Sequence, residues 1–357
     1  LSNAEAEAQA RALPERQGLQ VIGLLEDALN RLDALKTRKG LRRTPGPVDW
    51  QELTIRAHTF RSGDRIVFPG GFGEIPDADD LGAVAALGGA FAAGWAAPDG
   101  VIKTDGDVNS RTIRQVQKHF ERTRAVGMQS ELTLSHLTKT GVGKRYDGIR
   151  DVKYGGVQYD IDHPDVRRMW KRVIETVAPK AALAGKFFAW RLVERPTFPT
   201  GTKVSTHTIE KYSAWLQEHH SGIAALNKHW GTAHASFDVI TAPGKKTGAG
   251  EWHDWCVFNR WRVDQWLAML QDLCRTHLDS AVAYPMLGEI VGLPVAGDRP
   301  QDGHAVSGLD LESIASAFPM VAFSAPTPAL AGDPWLFDWR ASALTFDLMR
   351  SIAPDTL

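Results

Sequence analysis

From residue 65 onward the chain alternates short β-like runs with helical stretches six times over, and that alternation leaves few folds open. Strands separated by helices of ten or more residues pair in parallel, because the crossover needs a helix lying on the face of the sheet. The β-like runs are Arg65 to Pro69, Ala90 to Trp95, Met128 to Ser135, Lys186 to Val193, Ala281 to Leu287 and Met320 to Ser324. Helical periodicity falls near 109–126, 164–178, 206–220, 251–277, 309–317 and 339–352. The expectation is an α/β fold of the (β/α)8 TIM-barrel type with six βα units, a closed barrel requiring two further strands after the sixth helix. At 357 residues the chain exceeds the roughly 250 of such a barrel, so one barrel domain over 51–357 with a helical extension over 1–50 fits it.

The extension is amphipathic: Leu19, Ile22, Leu25, Leu29, Leu32 and Leu35 recur at three- and four-residue steps before Gly40 and Pro45-Gly46-Pro47 break the pattern. Such a stripe either packs on the barrel or pairs with a second copy, so a homo-oligomer stays open.

Composition removes several function classes. Lys plus Arg (41) nearly balances Asp plus Glu (42), a formal net charge of −1, and gives no global field to draw nucleic acid. No apolar run reaches the roughly 18 residues of a membrane span, and no membrane partner is expected. Cys256 and Cys274 fall on one predicted helix about 27 Å apart, too far for a disulfide, and read as core thiols. No signal-peptide pattern opens the chain, which leaves cytoplasm and periplasm both open. Gly70-Gly71-Phe72-Gly73 lacks the remainder of a dinucleotide fingerprint and reads as a tight βα turn; Gly244-Lys245-Lys246-Thr247 lacks the upstream glycine of a P-loop. There is no His-Glu-x-x-His, and adjacent His219 and His220 point in different directions on a helix, so neither a metal nor a cofactor is expected. Twelve tryptophans are many for this length; Trp170, Trp215 and Trp266 read as core, others as platforms for the apolar faces of sugars.

Chemistry concentrates at Phe187-Phe188-Ala189-Trp190-Arg191-Leu192-Val193-Glu194-Arg195-Pro196, an apolar strand that ends on a carboxylate. It resembles the fourth-strand motif of retaining glycosidases of the large (β/α)8 clan, Trp-x-Leu-x-Asn-Glu-Pro, whose Glu is the general acid/base. Aligned on Trp190, Leu192 and Pro196, the motif's Asn falls on Glu194 and its Glu on Arg195. Ser221-Gly222-Ile223-Ala224-Ala225-Leu226-Asn227-Lys228-His229-Trp230-Gly231-Thr232 resembles the Gly-Ser-Ile-x-x-Leu-Asn-x-x-Trp-Gly-Thr segment of the family 42 β-galactosidases; here Ile223, Leu226 and Trp230 share one face of a short helix stopped by Gly231. With Trp255-Cys256-Val257-Phe258-Asn259 the resemblance runs over about residues 65 to 357.

The resemblance implies a β-galactosidase-like glycoside hydrolase acting on β-galactosides or related oligosaccharides through two carboxyl groups. Glu194 takes the acid/base role. The family's nucleophile is a Glu ending the seventh strand, for which Glu289 at the end of the fifth strand is the nearest substitute. Glu131 and His136 on the third strand would orient sugar hydroxyls, and Trp190 and Arg195 stand on the substrate side. Asp162, in Tyr159-Asp160-Ile161-Asp162-His163-Pro164, either caps the following helix or serves near the substrate. The alternative is a catalytically inactive carbohydrate-binding relative, in which Arg195 has replaced the acid.

Overall fold

The computed structural model describes residues 18–19, 21–30, 32–33, 36, 48–56, 59–72, 78–103, 105–134, 145–146, 148–149, 157–181, 188–196, 198, 204–244, 248–278, 282–289, 308–324 and 339–354. The chain divides into two units, Leu1–Val48 and Asp49–Leu357. In the first, the described residues between 18 and 36 are helical, as the leucine spacing predicts.

The second unit opens with an antiparallel meander, β1 (Leu53–Arg56), β2 (Thr59–Ser62) and β3 (Arg65–Ile66). The β2–β3 turn is Gly63-Asp64, with Gly63 at φ +59°, a conformation that costs a residue without Cβ little. A six-stranded parallel sheet follows in sequential order: β4 (Gly71–Phe72), β5 (Phe91–Trp95), β6 (Gln129–Thr133), β7 (Phe188–Glu194), β8 (Val282–Glu289) and β9 (Ala322–Ser324). Sequential parallel neighbours joined by helices are the barrel arrangement expected from the sequence. One strand is displaced: Arg65–Ile66 completes the meander, and the first parallel strand is Gly71–Phe72, inside the glycine run read as a turn. The reason is the Gly63-Asp64 hairpin, which commits Arg65 and Ile66 to pairing with β2 before the chain reaches the barrel.

The helices are α1 (Ala78–Ala86), α2 (Pro98–Val101), α3 (Ser110–Ala125), α4 (Val166–Ala181), α5 (Thr206–His219), α6 (Ile223–Trp230), α7 (Ala249–His277), α8 (Leu311–Ala317) and α9 (Trp339–Ile352). Their starts follow the expected capping chemistry: Asn109 accepts from the backbone N–H groups of Arg111 and Thr112, and Ser205 from that of Thr208. α6 stops where Gly231 adopts the left-handed conformation.

The main core lies between the outer face of the sheet and the helices. On α4, Met169, Trp170, Val173, Ile174 and Val177 are buried at helical spacing, against Trp190, Leu192 and Leu132 of the strands and Val263, Trp266, Leu267 and Leu270 of α7. The indole N–H groups of Trp170 and Trp266 both donate to the Tyr159 hydroxyl, at 2.8 and 3.1 Å, satisfying polar atoms that burial would otherwise strand. A second core joins Tyr212, Trp215 and Leu216 of α5 to Leu226 and Trp230 of α6 and Trp255 and Phe258 of α7. Cys274 is a buried thiol and Cys256 a half-buried one, both free.

The meander is tied to the amino end of the sheet, where Gln51 Nε2 donates to the Met128 carbonyl at 3.0 Å and Gln129 Nε2 to the Trp50 carbonyl. The carboxyl ends of the strands, at the opposite edge, are where barrel enzymes carry their chemistry.

Candidate functional site at the carboxyl edge of the sheet

Strand parity assigns the side chains. On β6, Ser130 and Leu132 face outward: Ser130 hydrogen bonds Thr123 of α3, and Leu132 enters the main core. Glu131 therefore faces the inner side. On β7 the outward residues are Trp190 and Leu192, both buried in the core, so Arg191 faces inward with Glu131. Its guanidinium meets Glu131 through Nη2, while Nε lies 3.4 Å from the hydroxyl of Tyr284, its register partner on β8. Tyr284 in turn donates its hydroxyl to Glu131 Oε2. Burial and then the charge of Glu131 push the Tyr284 phenol well above its ordinary range, so it stays a donor. Burial opposes the Arg191 charge, but Tyr284, Glu131 and Glu194 together outweigh it and raise the guanidinium further.

Glu194 reaches the same face through a bulge. Residues three apart on a regular strand point to opposite sides. Between Arg191, paired with Tyr284, and Val193, paired with Pro285, β7 spends two steps against one on β8. That extra residue resets the alternation, and Glu194 pairs with Met286, which shares the parity of Tyr284. The Glu194 carboxylate thus comes within 3.5 Å of Arg191 Nη1, with 18% of its side chain exposed.

Arg195 follows at φ +47°, the one non-glycine residue with positive φ among the described residues. Its backbone N–H donates to the Met286 carbonyl at 2.7 Å, prolonging the β7–β8 pairing, and its guanidinium stands 3.9 Å from Glu194. Strained backbone of this kind concentrates at functional sites.

The inner face thus unites Glu131, Arg191, Tyr284 and Glu194, with Arg195 beside them. Arg191 and Tyr284 were missed in the sequence, although a charge in the middle of Phe-Ala-Trp-Arg-Leu-Val was a signal. Three expected roles need correction. Trp190 is fully buried in the helix layer, because it sits one residue out of phase with Arg191, and cannot stack on a sugar. Glu131 is taken up by Arg191 and Tyr284 rather than left free for sugar hydroxyls. Asp162 neither caps α4 nor lines the site. It is buried and bound by Arg262 Nη1 at 2.6 Å, Lys211 Nζ at 3.0 Å and the Thr208 hydroxyl at 2.8 Å. Burial works to raise its carboxyl, but Arg262 and Lys211 overcome that and hold it below the ordinary carboxylate range. Glu289 ends β8, paired with Ser324, but its side chain lies outside the described residues, as does all of His136.

Elsewhere, a cleft at the α5–α6 turn is lined by Gln217, Glu218, His219, His220 and Phe237. Its histidines have structural partners: His219 stacks on Trp215, and His220 hydrogen bonds Asp254 at 2.9 Å. We place the chemistry on the strands, because the cleft offers no carboxylate pair. Among the described residues no group of three His, Cys, Asp or Glu could hold a metal ion, and no helix is long and apolar enough to cross a membrane.

A six-stranded parallel sheet of sequential βα units belongs to the architecture of the (β/α) barrels. Residues 144–291 of the chain are similar to glycosyl hydrolase family 42, whose model is described as Beta-galactosidase. No curated protein matches the sequence. Among solved structures, the apo exo-carrageenase GH42 from Bacteroides ovatus is 22% identical with a TM-score of 0.72, covering 99% of this chain and 49% of that one. The beta-galactosidase from Bacillus circulans sp. alkalophilus is 15% identical with a TM-score of 0.60, over 80% of this chain and 42% of that one. The catalytic domain of beta-amylase from Paenibacillus polymyxa is 11% identical with a TM-score of 0.60, over 80% and 82%. At these identities the likeness is one of fold. The chain spans about half the length of the family 42 structures it matches.

Proposed function

We propose that this chain carries a glycoside hydrolase site for β-galactosides or related oligosaccharides, with Glu194 as the carboxyl group that exchanges a proton with the glycosidic oxygen. The observation that carries the reading is the β7 bulge, which brings Glu194 onto the inner face at the carboxyl edge, beside Arg191. Arg191 is in turn anchored by Glu131 and Tyr284, so the carboxylate stands on a preorganised floor. Hydrolysis by two carboxyls requires a partner about 5 to 5.5 Å away for retention, or a wider spacing for inversion. Glu289, at the end of neighbouring β8, is the partner we assign, on its strand position alone.

The test is hydrolysis of aryl β-galactosides by the full chain, by Glu194→Gln and by Glu289→Gln. General acid/base catalysis is worth about 10²- to 10⁴-fold, so Glu194→Gln should lower kcat by that order while leaving sugar affinity within severalfold. Unchanged turnover in Glu194→Gln sinks its assignment, and unchanged turnover in Glu289→Gln sinks only the partner. A folded wild type that binds galactosides without cleaving any of them overturns the hydrolase reading.

A further inference from the structure

Arg195 stands at the position where the glycosidase motif carries its acid, and its geometry gives it work of a different kind. The positive φ is held between the Met286 hydrogen bond on one side and buried Pro196 on the other. A non-glycine residue keeps such a conformation only where the surroundings over-determine it. The result is that Arg195 leaves the strand at its carboxyl end with 63% of its side chain exposed, while Arg191, four residues back, is only 15% exposed and fully engaged. At 3.9 Å from Glu194, the Arg195 guanidinium is near enough for charge attraction but beyond hydrogen-bond length. Its planar fork of donors is therefore largely exposed to solvent beside the Glu194 carboxylate. Such a fork matches an oxyanion bidentately, which an ammonium cannot do.

We infer that Arg195 recognises an oxyanion substituent, a sulfate ester or a carboxylate, on the sugar bound next to Glu194, so that the site prefers anionic over neutral galactosides. This rests on the hydrolase reading for its location, since the ligand lies beside the proposed proton-transfer group. Arg191 takes no part in holding the anion, because Glu131, Tyr284 and Glu194 already occupy it.

The experiment is calorimetric binding of three disaccharides to the full chain: neutral β-linked galactobiose, its sulfate ester, and the counterpart with a galacturonic acid. Each is repeated at low and high salt and with Arg195→Asn, Arg195→Gly and Arg195→Lys. Asn and Gly both accept positive φ, so they remove the guanidinium without adding backbone strain, and thermal unfolding of each variant checks that it is folded. The wild type should bind at least one charged disaccharide about tenfold or more tightly than the neutral one, with the ratio shrinking as salt rises. The ratio should fall to within about twofold in Arg195→Asn and Arg195→Gly and be partly kept in Arg195→Lys. Which charged disaccharide wins identifies the oxyanion. A wild-type ratio below twofold, no binding of either charged sugar, or a ratio that survives in Arg195→Asn overturns the inference. Turnover of the same sugars is read separately: charge preference without cleavage fails the hydrolase reading alone, and cleavage of neutral galactosides without charge preference fails the inference alone.

Discussion

Two carboxylate–guanidinium clusters in the barrel unit are built from the same groups and put to opposite uses. In one, Asp162 and Arg262 are 0% and 1% exposed, with Lys211 and Thr208 completing the carboxylate's partners. This cluster joins the segment before α4 to α5 and α7, and Asn259 accepts from Arg262 Nε at 2.9 Å to use a further donor. In the other, Arg191 and Glu194 lie at the sheet's carboxyl edge, 15% and 18% exposed, at a looser 3.5 Å. A sealed and satisfied ion pair fixes the relative places of helices. A looser one at the sheet's edge keeps a carboxylate oriented while leaving part of it exposed. Burial and partner count, rather than charge type, separate the two roles.

The comparison is broken most directly at the sealed cluster. Arg262→Met should destabilise the protein by about 3–5 kcal/mol, because it leaves a buried carboxylate short of its main counter-charge; urea unfolding measures it. The same cluster sets an acid limb. Its folded pKa lies below the unfolded value of about 3.9, so the stabilisation by Asp162 is complete above that value and is lost as pH falls through the folded one. The stability gap between wild type and Asp162→Asn should therefore stay level at neutral pH and close below about pH 4; a gap that widens on acidification contradicts the assignment.

At the open cluster the effects on stability are smaller. Tyr284→Phe removes the donor to Glu131 and should cost about 1–2 kcal/mol by unfolding, while lowering turnover through a disordered Arg191 floor. An unaltered kcat would separate that floor from Glu194. Smallest of all is the exposed pair Arg167–Asp272, with side chains 58% and 59% exposed, where Arg167→Ala should change stability by less than about 1 kcal/mol. A larger loss there would mean that exposure is a poor guide to what an ion pair contributes in this protein.

The βα units were legible because their signal is local. Five of the six strand runs overlap strands of the parallel sheet, the first run falls on the last strand of the meander, and the six helical stretches overlap observed helices, since buried strands need contiguous β-branched and aromatic residues and helices need apolar residues every three or four positions. The short amphipathic helix over 223–230 was read from Ile223, Leu226, Trp230 and Gly231 for the same reason. The meander was missed because its strands, of four, four and two residues, are too short to show a period.

The site was legible only in part. Glu194 stood out as a carboxylate ending an apolar strand, yet strict alternation could not say which face it takes. The bulge at Leu192 is a property of how β7 pairs with β8, and residues ninety positions apart settle it. The same holds for Asp162, whose sequence context fits a cap equally well; its fate was decided by Arg262 and Lys211, brought to it from α7 and α5.

The sequence by itself determined the order of the last five parallel strands and of the helices between them, the apolar faces they bury and the strand that ends on a carboxylate, because each of these is written in the spacing of neighbouring residues. The tertiary structure alone decided that Trp190 turns to the helices, that Arg191 binds Glu131 and Tyr284, and that Glu194 and Arg195 stand side by side at the edge. Those outcomes depend on register and burial, which exist only once distant strands have paired.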